Sequence, residues 1–262
     1  MKTALRVGLL VAAGVLFFGS FAEADHAWAP YHWARTANPF TIQLGDNLTS
    51  AWDPYLVTAA SDWSISSVLD VTIVASGKNP KTCRPTAGRG EVCNAKYGSN
   101  GWLGIAQIWI MGDHITQGVV KLNDTYFTRA TYNTAAWKNL VMCQEVGHVF
   151  GLDHQDENMT NPNLDTCMDY TNNPESNQHP NAHDYEMLET IYAHLDPTTT
   201  LSQSAAAKAQ APESVDEVRE WGREIRRSAD GRASLFERDF GGQKVFTHVF
   251  WAEEDGRFTR ER

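Results

Sequence analysis

One stretch of the chain decides the fold: Cys143-Gln144-Glu145-Val146-Gly147-His148-Val149-Phe150-Gly151-Leu152-Asp153-His154. Residues four apart lie on the same face of an α-helix, so Gln144 and His148 project side by side and can share one metal ion. Glu145 lies about 60° around the helix from His148, which places a carboxylate beside that metal without making it a ligand. The spacing therefore predicts a metal-binding helix.

The helix is predicted to end at Gly151, because glycine adopts the left-handed conformation that terminates helices at little cost. The turn that follows returns His154 to the same metal. Three protein ligands and one open position for water are the arrangement of a catalytic zinc site. Zn²⁺ is accordingly the predicted cofactor.

The stretch resembles the metzincin zinc-protease pattern, H-E-x-x-H-x-x-G-x-x-H followed by a Met-turn. Glu145, His148, Gly151 and His154 match it, and Cys167-Met168-Asp169-Tyr170 is a Met-turn candidate. Gln144 stands where the pattern has its first histidine. The order of the flanking elements is similar to the matrixin branch, and the resemblance covers roughly residues 31–196.

The resemblance implies a role for each matching residue. His148 and His154 would bind zinc, and Glu145 would be the general base that deprotonates the zinc-bound water and then protonates the leaving amine. Met168 would form an apolar floor beneath the metal. Tyr170 matches a tyrosine that approaches the metal or the oxyanion in some metzincins, which makes it the second candidate catalytic residue.

Gln144 leaves three alternatives open. Its carbonyl oxygen can be a ligand, which predicts weaker zinc binding because zinc prefers nitrogen and sulfur donors. Another histidine, such as His179 or His183, can take the position. The site can also be empty of metal, with only the fold retained.

Four cysteines, an even number in a chain with an export signal, suggest two disulfides. Three pairings are possible. We favour Cys83–Cys93, which closes a loop rich in proline and glycine, and Cys143–Cys167. The second pairing joins the active-site helix to the Met-turn, two segments that a metzincin must stack. The competing interpretation makes Cys143 or Cys167 a thiolate ligand of zinc.

The ends and composition of the chain indicate an exported protein. A charged start, an apolar run from Val7 to Phe21 and the sequence Ala22-Glu23-Ala24 predict a signal peptide over residues 1–24. The formal net charge is −10, which makes nucleic acid and anionic membranes poor partners. We expect a secreted protein that acts on a protein or peptide, with no membrane association after the signal is cleaved.

The predicted catalytic domain, residues 25–197, belongs to the α/β class, with a twisted mixed sheet, an active-site helix and a C-terminal helix. Periodicity and β-branched runs predict its elements. The predicted strands are 41–44, 71–75, 104–111 and 118–122, and the predicted helices are 53–68, the motif helix capped by Thr134, and one from Asn181 to Pro197. Residues 77–101 are predicted to be a loop, and strand 104–111 is a candidate edge for an extended peptide substrate.

A linker is predicted over residues 198–213 and a small appendage over 214–262. A capping box and an apolar stripe predict a helix that starts at Ser214 and reaches Ile225. Two strand-like runs, 235–240 and 244–251, flank the hairpin signal Gly241-Gly242. The appendage is predicted to dock on the catalytic domain or on a partner.

A polar loop after the motif is a calcium candidate, because it is rich in oxygen ligands. Its spacing matches no defined calcium-binding loop, which favours a solvated loop. The residues concerned are Asp156, Asn158, Asn161, Asn163 and Asp165.

Three hypotheses about function follow. The first is a secreted zinc-dependent endopeptidase, with a different metal in the same role as a variant. The second is a catalytically inactive metzincin-fold protein that binds a peptide or a partner protein, and Gln144 is the feature that favours it. The third is an unrelated exported α/β protein in which the motif arose by chance.

Overall fold

The structure is a computed structural model, and it describes residues 26–28, 30–201 and 218–253. The predicted signal peptide lies outside the described residues. So do residues 202–213 of the predicted linker and both ends of the predicted appendage.

The predicted α/β class is confirmed: the described residues form a large mixed sheet accompanied by a few helices. The strands are β1 (His32–Trp33), β2 (Phe40–Asn47), β3 (Leu69–Ala75), β4 (Gly90–Ala95), β5 (Trp102–Met111), β6 (His114–Asn123), β7 (Arg223–Arg227), β8 (Ala233–Asp239) and β9 (Lys244–Trp251). The helices are α1 (Asp53–Trp63), α2 (Asp124–Phe127), α3 (Ala135–Val149) and α4 (Ala182–Ile191).

The strands within the described ranges join in one sheet, in the order β3-β2-β4-β6-β5-β9-β8-β7, with β1 paired to β6. Strands β2, β3, β4 and β6 pair in parallel, and β5, β9, β8 and β7 follow in antiparallel pairs. The parallel half is therefore the N-terminal part of the chain. The antiparallel half joins β5 to the C-terminal strands.

Helix α3 packs across β5 and β6, and two glycines permit the close approach. A Cβ atom at Gly104 would lie 2.6 Å from Glu145 Oε1, and one at Gly118 would lie 2.5 Å from Val149 Cγ1. Nearly every side chain of α3 from Ala136 to Val149 is buried. The motif helix is thus central, as its apolar residues on several sides predict.

Several predicted boundaries differ from the structure. Residues 77–101, predicted as a loop, contain β4, which is buried and pairs with both β2 and β6. Helix α1 ends at Trp63 rather than near residue 68, and the hydroxyl of Ser64 instead bonds Ala60 and Val71. Helix α4 ends at Ile191, well before Pro197.

The C-terminal prediction is half right. The hairpin around Gly241-Gly242 is confirmed as β8 and β9. The predicted helix reaching Ile225 is wrong over its described part, because Val218–Glu220 is a short 3-10 helix and β7 follows. Val218 and Ile225 are among the exposed large hydrophobic residues. These two side chains therefore do not form the buried apolar face that would stabilise the predicted helix.

Strand β5 is not a free edge, contrary to the prediction. Strand β9 pairs with it from Trp102↔Trp251 to Ile110↔Lys244. Residues 214–262, predicted to be a small segment that docks on the catalytic domain or on a partner, supply this strand. The hydrogen-bonding groups that would have aligned a peptide are instead used by the chain's own C-terminal strand.

Both favoured disulfides are present in the structure. Cys83–Cys93 joins the loop before β4 to that strand, and Cys143–Cys167 joins α3 to the Met-turn segment. The alternative, in which Cys143 or Cys167 is a thiolate ligand, does not fit this pairing. Within the described ranges, no helix has the length and apolar character needed to cross a membrane.

Candidate metal centre

Helix α3 carries two of the predicted site residues into the core. Thr134 caps its first turn by accepting a hydrogen bond from the Trp137 amide, as predicted. At the other end, the Trp33 indole donates to the Val149 carbonyl at 2.8 Å. The helix is fixed at both ends, and Glu145 and His148 between them are fully buried.

Gly151 turns the chain after the helix, as predicted. Its φ is +97°, in the left-handed region that glycine tolerates, and a Cβ atom there would lie 2.6 Å from the Tyr31 carbonyl oxygen. The turn returns His154 to the helix, so that its Nε2 lies 3.0 Å from Nε2 of His148. The two predicted imidazole ligands are therefore adjacent.

The two imidazoles fit a shared zinc ion. Two nitrogens held by one tetrahedral zinc at 2.0–2.1 Å lie roughly 3.3 Å apart, close to the separation found here. His148 Nδ1 lies 2.8 Å from the Leu152 carbonyl oxygen, to which it donates. This bond selects the tautomer whose Nε2 lone pair is available to a metal.

A third imidazole joins the pair, and it comes from β9. Ring nitrogens of His148, His154 and His248 all lie within 4.8 Å of one another, and all three residues are buried. Sequence reasoning missed His248, which lies more than ninety positions beyond the motif. The one signal for it was a lone histidine in a mostly apolar strand, Val245 to Trp251.

His248 is held by the two predicted catalytic residues. Its Nδ1 lies 3.1 Å from Glu145 Oε2, and its Nε2 lies 2.9 Å from the Tyr170 hydroxyl. The other carboxylate oxygen of Glu145, Oε1, is buried and has no hydrogen-bond partner. Glu145 and Tyr170 thus converge with the imidazoles, as the resemblance implies.

Burial sets the ionisation of the cluster. It raises the pKa of the Glu145 carboxyl well above its ordinary value. It lowers the pKa values of His148 and His248 well below theirs, and the neighbouring imidazoles add to that effect. The two histidines are therefore neutral at pH 7, which is the form that binds metals.

Gln144 contacts the Met-turn segment. Its Nε2 donates to the Cys167 carbonyl oxygen at 2.9 Å, while its buried Oε1 has no hydrogen-bond partner. Met168 is also fully buried and lies beneath the helix, since a Cβ atom at Gly147 would come within 2.8 Å of its sulfur. Its position fits the floor that the resemblance implies.

The cluster is covered on several sides. The Trp28 ring stacks on His148 at 4.8 Å with only 9° between the planes. From the C-terminal strands, Arg226 donates to both carboxylate oxygens of Asp153, at 2.6 Å for one of them, and lies 3.2 Å from Glu157. A small pocket, too tight to admit a water molecule, lies between Glu157, Arg226 and Leu235 on one side and Tyr170 and His248 on the other.

Neither alternative histidine reaches the cluster. His179 is exposed and lies 2.6 Å from Asp62, and His183 lies against Glu186 and the ring of His26. The structure gives the calcium loop no support either. Side-chain oxygens of Asp156 and Asn158 accept hydrogen bonds from their own loop, at 2.5–2.6 Å for Asp156.

A second group with metal-ligand chemistry lies at the start of β6. His32 and His114 both approach Asp196, at 3.3 Å and 3.1 Å, and Arg35 also binds this carboxylate, at 2.9 Å. This group is separate from the motif.

No family model matches the chain, and no curated protein matches it. Among solved structures, the chain is similar to myroilysin, with 15% identity, a TM-score of 0.37, and coverage of 64% of this chain and 98% of that chain. It is also similar to high choriolytic enzyme 1, a hatching enzyme zinc-protease from the medaka fish Oryzias latipes. There the identity is 10%, the TM-score 0.35, and the coverage 62% of this chain and 94% of that chain. A functional proposal therefore depends on this chain's own residues.

Proposed function

We propose that this protein is a zinc-dependent endopeptidase that is secreted after loss of its signal peptide. The observation that carries the proposal is the convergence of buried imidazoles with the buried carboxyl group of Glu145. His148 and His154 lie 3.0 Å apart, and Glu145 reaches the same point from the same helix. The metzincin spacing of the motif supports the same reaction.

A zinc ion held by these residues supplies Lewis-acid chemistry, polarising a scissile carbonyl and making water acidic. His148 and His154 would hold that ion through their ring nitrogens. The Leu152 carbonyl fixes the ring of His148, and the Met-turn supports the helix from below.

Glu145 is the proposed base. Its Oε1 is buried without a hydrogen-bond partner, so it is available to take the proton of an attacking water and to return it to the leaving amine. The Tyr170 hydroxyl is the proposed donor to the developing oxyanion. Its ring lies 4.1 Å from that of His154, which keeps the hydroxyl within the cluster.

Substrate has to approach by a route other than the edge of β5, which β9 occupies. The pocket lined by Glu157, Arg226, Tyr170 and His248 is the proposed route, and it has to widen before a peptide can enter, because it is too small to admit a water molecule.

The test is cleavage of unfolded casein or a peptide library by the zinc-loaded full chain. Glu145→Gln preserves size and is expected to lower the rate by about 10²–10⁴-fold, the usual contribution of general acid–base catalysis. The matched control is Glu186→Gln, on the exposed side of α4, which is expected to leave the rate unchanged. Cleavage that survives Glu145→Gln would reject the proposed base.

A second candidate function has its own supporting observation: β9 covers the β5 edge and the three imidazoles are buried. A catalytically inactive relative that binds a peptide or a partner protein would have the same features. This candidate predicts no stoichiometric zinc and no cleavage of any peptide in the library. Turnover that chelators abolish and zinc restores would exclude it.

A further inference from the structure

We infer that His248 is the third protein ligand of the zinc site and replaces the histidine that the motif lacks at position 144. This inference rests on the proposed zinc site but not on its peptidase activity. It assigns a metal-binding role to the C-terminal strands. Gln144 then serves as an anchor for the Met-turn rather than as a ligand.

The pairing of β9 with β5 fixes where the His248 side chain points. Successive side chains of a strand alternate between the two faces of a sheet, so Phe246, His248 and Phe250 share one face. Both phenylalanines belong to the core beneath α3, whereas Val245 and Val249 pack in the cluster on the opposite face. His248 therefore points at the helix that carries the motif.

Small residues on β5 leave room for the imidazole. His248 lies opposite Ala106, and Phe250 lies opposite Gly104. A side chain at Gly104 would collide with Glu145, and a larger one at Ala106 would crowd the imidazole that pairs across from it. Two of the smallest residues thus stand where His248 and Glu145 meet.

The surroundings of His248 match those of a metal ligand. Its ring centroid lies 4.1 Å from that of His148 and 4.8 Å from that of His154. A carboxylate, Glu145, faces one of its nitrogens, and a hydroxyl, Tyr170, faces the other. Whichever nitrogen binds the metal, the remaining one has an outer partner, as metal-binding imidazoles almost always do.

Ligand chemistry favours His248 over Gln144. Zinc binds imidazole nitrogen more readily than a neutral amide oxygen. The Gln144 amide is already tied through its Nε2 to the Cys167 carbonyl, whose own residue is disulfide-bonded to Cys143 on the same helix. Gln144 therefore has a structural role through its Nε2, while its buried Oε1 has no hydrogen-bond partner and is the atom that would compete with His248 for the metal.

The experiment measures zinc affinity by competition with a chromophoric chelator. Every protein carries His114→Ala, so that the second histidine group does not contribute. His248→Ala is expected to weaken zinc binding by more than about 100-fold, beyond the 10–100-fold that loss of an outer partner costs. Gln144→Ala is expected to change the affinity by less than about threefold, because it removes no ligand. His248→Asn repeats the test with a polar side chain if the alanine variant fails to fold.

A ligand transfer provides the decisive comparison. His248→Ala combined with Gln144→His returns three imidazoles to the site and is expected to recover most of the lost affinity. X-ray absorption of the zinc-loaded proteins gives an independent readout: three imidazoles with His248 present, two in His248→Ala, and three again after the transfer.

A loss of zinc affinity of about 100-fold or less in His248→Ala would overturn the inference, because an outer partner alone accounts for a loss of that size. An unchanged number of imidazoles in His248→Ala would also overturn it. In that case His248 is only part of a hydrogen-bond network with Glu145 and Tyr170. A protein that binds zinc through three imidazoles but cleaves no peptide would reject the proposed function and support this inference. The two failures are therefore distinguishable.

Discussion

At the scale of single residues, the site depends on groups that touch the imidazoles without being ligands. Tyr170 is the clearest case, because its hydroxyl contacts His248 at 2.9 Å and its ring lies beside His154. Outer partners of this kind hold a ligand in one orientation and raise its basicity. Their removal weakens a metal site without abolishing it.

Tyr170→Phe is therefore predicted to weaken zinc binding by about 10-fold, the lower end of the range for outer partners. The hydroxyl is lost and the ring is kept, so folding is little affected. The measurement is a chelator competition, with Tyr185→Phe as control, since that hydroxyl bonds the Asp62 carbonyl instead. Equal weakening in both variants would argue against a specific role for Tyr170.

The residues of the motif were predictable from spacing because helix geometry alone places Glu145 and His148 together. Gly151 was predictable because only a left-handed residue can make that turn. His248 was not, because no local pattern links it to the motif, and only the register of β9 on β5 brings it there. The role of Gln144 was likewise hidden, since it depends on the position of the Cys167 carbonyl.

At the scale of elements, the approach of α3 to β5 controls where Glu145 lies. A Cβ atom at Gly104 would meet Glu145 Oε1 and Val141 Cγ1, both at 2.6 Å. Neither neighbour can withdraw easily, because both are buried beneath the helix.

Gly104→Ala is predicted to lower the free energy of unfolding by about 1–3 kcal/mol, the usual cost of overpacking a core. It should also reduce zinc affinity, since Glu145 must shift away from His248. Gly242→Ala is the control, because a Cβ atom at that position would have no neighbour within 4 Å and the change should be nearly neutral. Denaturant unfolding measures the free energy of unfolding of both variants. A Gly104→Ala protein as stable as the unmodified protein would contradict this packing.

Arg226 fixes strand β7 to the turn that follows α3. Its guanidinium binds the buried Asp153, which is next to His154 in that turn. Arg226→Ala is predicted to cost about 1–3 kcal/mol, because the Asp153 carboxylate loses its charged partner. Arg223→Ala, on the same strand, removes a side chain that is 78% exposed and is expected to cost less than about 0.5 kcal/mol. Equal losses in the two variants would show that this ion pair does not hold β7 in place.

At the scale of the whole molecule, the proposed ligands join two distant parts of the chain. His148 lies on helix α3 and His154 follows that helix, whereas His248 lies on β9 in the C-terminal part of the chain. A ligand that binds only the folded state stabilises it by mass action. Zinc should therefore strengthen the attachment of β7, β8 and β9 to the remainder.

Free zinc at 100 times its Kd is predicted to raise the free energy of unfolding by about 2.7 kcal/mol, and a chelator should reverse the change. The effect should largely vanish in His248→Ala at the same zinc concentration, because that variant binds zinc weakly. Denaturant unfolding with and without zinc is the measurement. If zinc stabilised His248→Ala by the same amount, zinc binding would not depend on the C-terminal strands.

The global architecture was predictable in part. Element types in the N-terminal region followed from periodicity, and the β8–β9 hairpin from its paired glycines. The long-range partner of β9 did not follow, because hairpin signals are local and carry no information about which other strand the hairpin joins. Strand β5 was predicted to be a free edge for the same reason, because no local signal showed that β9 pairs with it.

The central claim is that a zinc ion is held by two motif histidines and one histidine of the C-terminal strand. Anomalous diffraction at the zinc absorption edge, from crystals of the zinc-loaded protein, tests it most directly. The account predicts one strong peak in contact with His148, His154 and His248. A peak bound by the Gln144 oxygen with His248 turned away, or no peak between the three rings, would contradict it.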